Sequence, residues 1–196
     1  MTSTSPAQLR QQLRQQGIAA RLAINENDWQ RANQQLGKHL TDWLGQHPEL
    51  QQLGFCWPYR REPDIRDAIS RWLRSHPAHQ AALPIVPAQP GPLRFRQWTP
   101  DSEMDTDRFG IATPRHGADI TPQLLLIPVN AFDRHGYRIG YGAGFFDRTL
   151  ATLQPRPFTL GIGFSLAEVP NTYPQPHDIP LDSILTEQGI IPPLAS

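Results

Sequence analysis

The sequence has almost no cysteine: Cys56 is the only one in 196 residues. An internal disulfide framework is therefore excluded, and a reducing compartment is expected. Net charge is also missing, because 18 Lys and Arg balance 18 Asp and Glu. A neutral chain sets up no bulk field for nucleic acid or an anionic membrane, so neither partner is expected. No apolar run approaches the roughly 20 residues of a membrane span. The polar start, Met1-Thr-Ser-Thr-Ser-Pro6, lacks the apolar stretch of a signal peptide. The expectation is a soluble, cytoplasmic monomer that works on small molecules.

Several catalytic signatures are absent as well. There is no Gly-x-Ser-x-Gly elbow, no Cys-x-x-Cys pair, no Walker A loop and no dinucleotide fingerprint. The seven histidines show no metal-binding spacing. Cys56 lies in an apolar stretch and reads as a small core residue. Chemistry by a protein nucleophile has little support.

What is present is enough apolar sequence, 38%, for a real core. The 21 prolines are spread along the chain and mark ordered loops. No repeat or linker divides it, so residues 1–196 are expected to form one domain. Ser5-Pro6 signals a helix start, with Leu9 and Leu13, and Arg10 and Arg14, repeating four apart; Gly17 is expected to bend or end that helix. Asp28 to Leu44 places Trp29, Ala32, Leu36, Leu40, Trp43 and Leu44 on one helical face. A short strand at 53–57 follows, then a helix capped by Asp64 and carrying Ile65, Ala68, Ile69, Trp72 and Leu73. Strands are expected at 81–86 and 93–98, the second with Arg94 and Arg96 on its wet face. Residues 100–122 read as loop. The apolar run Leu124 to Val129 reads as a buried strand, and Phe158 to Phe164 as another. Asp182 to Ile191 closes the chain as a hairpin. Alternating strands and helices predict an α/β fold with a mostly parallel sheet. Ligands of such sheets sit beyond the carboxyl ends of the strands, at the loops after 53–57 and 124–129.

One stretch stands out within this frame. Gly140, Gly142 and Gly144 occupy alternate positions between the apolar run and Phe145-Phe-Asp-Arg-Thr-Leu150, a helix opening with Phe146, Leu150 and Leu153 on one face. Glycine lets backbone approach a ligand closely, and free N–H groups at a helix N-terminus favour negative charge. Arg138 before the loop and Asp147 behind it suit a phosphate and a magnesium ion. Glu62 and Asp178 are further carboxylates in loops, and from residue pattern alone each reads as an ordinary solvated acid.

The stretch Ile127-Pro-Val-Asn-Ala-Phe-Asp133, with Gly136-Tyr-Arg-Ile-Gly-Tyr-Gly-Ala-Gly-Phe-Phe-Asp-Arg148, resembles the signature of the 5-formyltetrahydrofolate cyclo-ligases, also called methenyltetrahydrofolate synthetases. Leu9-Arg10, Trp57 to Glu62, Phe109 to Pro114, Asp178 and Leu185 to Glu187 extend the resemblance over nearly the whole chain. It implies a three-layer α/β/α sandwich like that of the ribose-phosphate isomerase and CoA-transferase group. It also implies conversion of 5-formyltetrahydrofolate and ATP to 5,10-methenyltetrahydrofolate, ADP and phosphate, with Mg²⁺. By position, Arg10, Arg138 and the stretch Gly140, Tyr141, Gly142, Ala143, Gly144, Phe145 and Phe146 are implied to line ATP. Trp57 and Glu62 are implied to meet the folate, with Tyr141 to Phe145 touching both ligands. Asp147 and Asp178 are implied Mg²⁺ ligands, and Glu62, Arg138 and Asp147 the residues on which catalysis depends. Asp147→Ala is expected to lower turnover with the fold intact.

The chain departs from the family pattern at four places. Pro6 stands where Lys is frequent, Ala143 where Gly or Lys is usual, Phe145-Phe146 where a Tyr pair is commoner, and Asn130 is atypical. Two other readings stay open: a sugar-phosphate isomerase-type enzyme on the same fold, and a non-catalytic nucleotide- or folate-binding module.

Overall fold

The computed structural model describes residues 5–89 and 91–194. Helix α1 (Pro6–Leu22) opens with a capping box. The Ser5 hydroxyl accepts from the Gln8 amide at 3.3 Å, and the Gln8 side chain accepts from the Ser5 amide at 2.9 Å. Gly17 does not end this helix, contrary to expectation. A Cβ there would lie 1.9 Å from the Asn130 carbonyl oxygen, so the glycine serves close approach between the helix and a neighbouring segment. Helix α2 (Glu26–Gly45) is capped by Asn25, whose side chain accepts from the Asp28 amide at 2.9 Å. Its stripe of Leu36, Leu40, Trp43 and Leu44 is buried.

Strand β1 (Gln52–Phe55) leads into α3 (Arg66–Ser75). Asp64 is not the capping residue itself; the cap falls on Ile65, and the Asp64 carboxylate accepts from the Arg66 amide at 3.2 Å and from its guanidinium. Strands β2 (Gln80–Ile85) and β3 (Arg94–Trp98) follow. The segment expected to be loop holds a small antiparallel pair, β4 (Met104–Thr106) and β5 (Ala112–Pro114). After β6 (Leu124–Pro128), a short hairpin of β7 (Ala131–Phe132) and β8 (Arg138–Ile139) intervenes before the glycine loop. Helix α4 (Phe145–Thr152), β9 (Phe158–Ile162), a 3-10 turn at Ser165–Ala167, β10 (Ser183–Thr186) and β11 (Gly189–Ile191) complete the chain.

The main sheet has the order β11-β10-β9-β6-β1-β2-β3. Its five inner strands are parallel, and both edge strands, β3 and β11, run antiparallel to their neighbours. Strand β6 sits at its centre and is apolar throughout because both faces are covered. Leu124 and Leu126 pack with the stripes of α2 and α3. Leu125 and Ile127 pack with Leu150 of α4 on the opposite side. Layers of helix, sheet and helix result, an α/β sandwich with a mostly parallel sheet. None of the described helices is long and apolar enough to cross a membrane.

Helix α1 stands apart from this pattern. It contacts β7, β8 and the 3-10 turn rather than a face of the main sheet, and its one buried residue is Arg21. The helix therefore docks beyond the carboxyl ends of the strands, largely through polar contacts.

Candidate active site

The parallel strands end at a cleft of about 660 Å³, within the usual range for small-molecule sites. Cys56 and Trp57 after β1, Pro84 and Val86 at the end of β2 and Pro128 of β6 form its floor. Arg10 and Arg14 enter from α1, Phe109 and Ile111 from the β4–β5 hairpin, and Gln175 and Asp178 from a late loop. The glycine loop and the start of α4 close the remaining side. Every cleft residue named from the sequence lies here: Arg10, Trp57, Glu62, Arg138, the run from Gly140 to Asp147 and Asp178.

The glycine loop has the geometry of an anion cradle. Gly142 (φ 93°) and Gly144 (φ 64°) both lie in the left-handed region, where a side chain would be strained. Gly144 is the N-cap of α4 and provides no side-chain cap, so the first turn keeps its N–H groups open. Among the described residues, no backbone N–H from Gly140 to Gly144 donates a hydrogen bond. Loop and helix start together present donors and the positive end of a dipole to the cleft.

Four arginines surround this loop, and they are not equivalent. Arg138 is buried, donates to Asp147 Oδ1 at 2.9 Å and donates to the Ile179 carbonyl at 2.8 Å. Arg10 holds both oxygens of Asp178, at 2.7 and 3.3 Å. Arg148 donates to the Ala143 carbonyl at 2.7 Å, bracing the loop from outside. Arg14 donates through Nε to the Gly140 carbonyl at 2.7 Å and forms no ion pair among the described residues. Its guanidinium lies against Gly142, 3.1 Å from where a Cβ would stand. Burial and the neighbouring Arg10 hold its pKa below the ordinary value, the signature of a crowded cation that an anion would relieve. The single lysine, Lys38, is on the exposed side of α2, so among the described residues the permanent positive charge at the cleft comes from arginine.

The carboxylates differ from their expected settings. Glu62 is not a solvated loop acid; it is 4% exposed. Burial pushes its pKa up, opposed by Arg21, by the Tyr59 amide at 3.0 Å from Oε2 and by Tyr141. Its other oxygen, Oε1, is buried and has no hydrogen-bond partner among the described residues. A buried acceptor left open in a cleft calls for a donor on a ligand. Asp147 accepts from Arg138 and from the Ile179 amide through Oδ1 alone, which leaves Oδ2 available. Asp178 accepts from Arg10 through both oxygens and from the Gln175 amide at 2.7 Å. No cluster of three potential metal-ligating side chains occurs among the described residues. Mg²⁺ needs only one or two carboxylates when phosphates supply further oxygens. Asp147 keeps one carboxylate oxygen open for such a contact, whereas both oxygens of Asp178 already accept hydrogen bonds.

Aromatic rings line the remainder of the cleft. Trp57 carries Arg66 over its ring at 4.5 Å and meets Trp98 edge-on. Tyr59 and Tyr141 meet edge-to-face at 5.9 Å, as do Phe109 and Phe145 at 6.2 Å. Arg14, Arg21 and the β4–β5 hairpin were not assigned site roles from sequence. The four-residue spacing of Arg10 and Arg14 was the one available signal, since it puts both on one face of α1.

A model of the 5-formyltetrahydrofolate cyclo-ligase family matches residues 6–187. A Haemophilus influenzae 5-formyltetrahydrofolate cyclo-ligase is 28% identical over 186 residues, covering 91% of this chain and 97% of that protein. An Aquifex aeolicus 5,10-methenyltetrahydrofolate synthetase superposes with a TM-score of 0.80 at 22% identity, covering 96% of this chain and 94% of the other. A Mycoplasma pneumoniae 5,10-methenyltetrahydrofolate synthetase gives 0.76 at 21% identity, covering 91% and 98%.

Proposed function

The chain belongs to the 5-formyltetrahydrofolate cyclo-ligase family, and from that premise we propose that its cleft cyclises 5-formyltetrahydrofolate to 5,10-methenyltetrahydrofolate at the expense of ATP. The observation that carries the assignment is a juxtaposition. An anion cradle with open N–H groups and an unpaired Arg14 shares one cleft with Glu62, whose buried Oε1 is open. A triphosphate suits the first, and the N–H groups of a pterin ring suit the second.

In this reading the formyl oxygen attacks the γ-phosphorus. A new O–P bond forms while the bond to the β-phosphate oxygen breaks, and ADP departs with that electron pair. The lone pair of N10 then adds to the activated formyl carbon and closes the ring. The C–O bond breaks, phosphate leaves, and the N10 proton passes to phosphate or solvent. No step requires a protein nucleophile, in keeping with the sequence. In-line transfer depends on positioning and on spreading charge, which loop N–H groups and guanidinium groups supply. Registering two substrates against each other is worth roughly 7–11 kcal/mol of such a barrier.

Arg14 takes a phosphate in place of the lysine that the family often carries where this chain has Pro6. Arg138 acts mainly by holding Asp147, and Arg10 by holding Asp178. Asp147, through its open Oδ2, would hold Mg²⁺ beside the ATP phosphates, where the ion would supply charge neutralisation. Glu62 orients the folate as a hydrogen-bond acceptor, and Trp57 supplies a flat apolar surface. The test is spectrophotometric: methenyl product should accumulate only with ATP and Mg²⁺ present. Ligand binding without product would favour a binding module, and turnover of ribose phosphates without ATP would favour an isomerase. Neither alternative is supported by the relatives.

A further inference from the structure

Arg21 does not line the cleft, yet it is 3% exposed, and its position needs an explanation. Its Nε donates to the Arg60 carbonyl at 3.0 Å, one terminal nitrogen to Asn130 Oδ1 at 2.7 Å, and the other to the Tyr141 hydroxyl at 3.0 Å. All three acceptors are neutral. They engage each guanidinium nitrogen once without cancelling its charge, and an uncompensated buried charge is costly. The Arg60 carbonyl that Arg21 holds belongs to the turn carrying Glu62, closed by the Glu62 amide donating to the Tyr59 carbonyl at 3.0 Å, and the charge acts there on the Glu62 carboxylate, whose Oε1 lacks a partner among the described residues. The Tyr141 hydroxyl stands near both groups.

We propose that Arg21 is a positioning residue for this reaction: it holds Tyr141 at the mouth of the cleft and supplies the positive charge opposite Glu62. The inference rests on the reading of Glu62 as the group that meets the folate. Tyr141 needs such an anchor, since the residue is 43% exposed and it sits in a loop built for glycine conformations. The other acceptor, Asn130, is atypical for the family and suits the arrangement, because a neutral amide binds Arg21 without competing with Glu62 for its charge. The groups acting on Glu62 are Arg21 from α1, Tyr141 from the glycine loop and the Cys56 thiol after β1. Of these only Arg21 carries a permanent charge. With Arg21 in place Glu62 ionises more readily and accepts N–H bonds; without it the buried acid stays protonated to higher pH and offers a donor instead.

The experiment is a carbon-13 NMR titration of the glutamate carboxyls in the full chain, with the Glu62 signal identified by its loss in Glu62→Gln. Arg21→Met should move the Glu62 midpoint upward by at least about one pH unit. Tyr141→Phe should move it upward by less, and Arg21→Lys should leave it nearer the wild type. Tyr141→Phe alters an exposed side chain, so it decides the matter should Arg21→Met fail to fold. An unmoved midpoint in Tyr141→Phe and in any folded Arg21→Met overturns the inference. In turnover, the acidic limb of kcat/KM for 5-formyltetrahydrofolate should shift with the NMR midpoint. A uniform fall at every pH with the limb in place would overturn the inference and leave Arg21 a purely structural role. A wild-type chain forming no methenyl product would sink the cyclo-ligase reading instead, while the titration still decides what Arg21 does to Glu62.

Discussion

Gly17→Ala separates two physical expectations of opposite sign. Helix propensity alone favours alanine over glycine within α1 by about 1 kcal/mol. The new methyl, however, would stand 1.9 Å from the Asn130 carbonyl oxygen, where ordinary contact begins at 3.4 Å. The Asn130 oxygen is backbone and the position of a Cβ is fixed by backbone, so no side-chain rotation relieves the clash, and α1 must withdraw by about 1.5 Å at that point, the difference of those two distances. Overpacking of this kind costs about 1–3 kcal/mol and sometimes more, so after the propensity gain the net change should be a loss of up to about 2 kcal/mol. In a chain of this length each kcal/mol lowers Tm by about 2–4 °C. The displaced helix carries Arg10, Arg14 and Arg21, and a misplacement near 1 Å at reacting groups can cost about 100-fold in rate. Urea unfolding followed by tryptophan fluorescence, together with KM for ATP, measures both effects. A stabilised Gly17→Ala protein with unchanged KM would refute the close docking of α1 and the placement of its arginines.

Glu62→Gln should raise stability at neutral pH. Burial lifts the pKa of Glu62 above its ordinary 4.5, so the folded state binds more protons than the unfolded state between 4.5 and the raised value, and stability falls as pH rises through that window. The gain in Glu62→Gln should therefore shrink toward zero as pH drops below 4.5, which denaturant titrations at several pH values would detect; the same change should weaken folate handling far more than ATP binding. Arg14→Met should raise KM for ATP about 10- to 100-fold, the equivalent of one charge-assisted hydrogen bond, with little change in KM for the folate. An equal effect on both substrates would argue against a phosphate role for Arg14. Asp147→Ala should lower turnover and also stability, because Asp147 supplies the ion pair of the buried Arg138; thermal unfolding unchanged from the wild type would contradict that second role.

Much of this architecture is legible in the sequence where one face of an element is apolar. The stripe of Leu36, Leu40, Trp43 and Leu44 and the run Leu124 to Ile127 announce α2 and the central strand because burial dictates their spacing. The β4–β5 pair escapes notice because its strands have three residues each and bury little. Gly17 reads as a stop because local sequence shows a missing Cβ but not the carbonyl that requires it to be missing. In the cleft, the glycine loop and Asp147 are visible as a motif. The partners of Asp178 and Glu62 are not, since Arg10 is 168 positions from the first, and the charge acting on the second comes from a different helix. Buried charge of this kind leaves no local pattern.

The most direct test of the central claim is a crystal structure of the protein with a non-hydrolysable ATP analogue and 5-formyltetrahydrofolate. The γ-phosphate should lie against the N–H groups of Gly140 to Gly144 and the Arg14 guanidinium, with a folate nitrogen donating to Glu62 Oε1. A triphosphate bound elsewhere, with the glycine loop facing solvent and Glu62 still without a partner, would contradict the account.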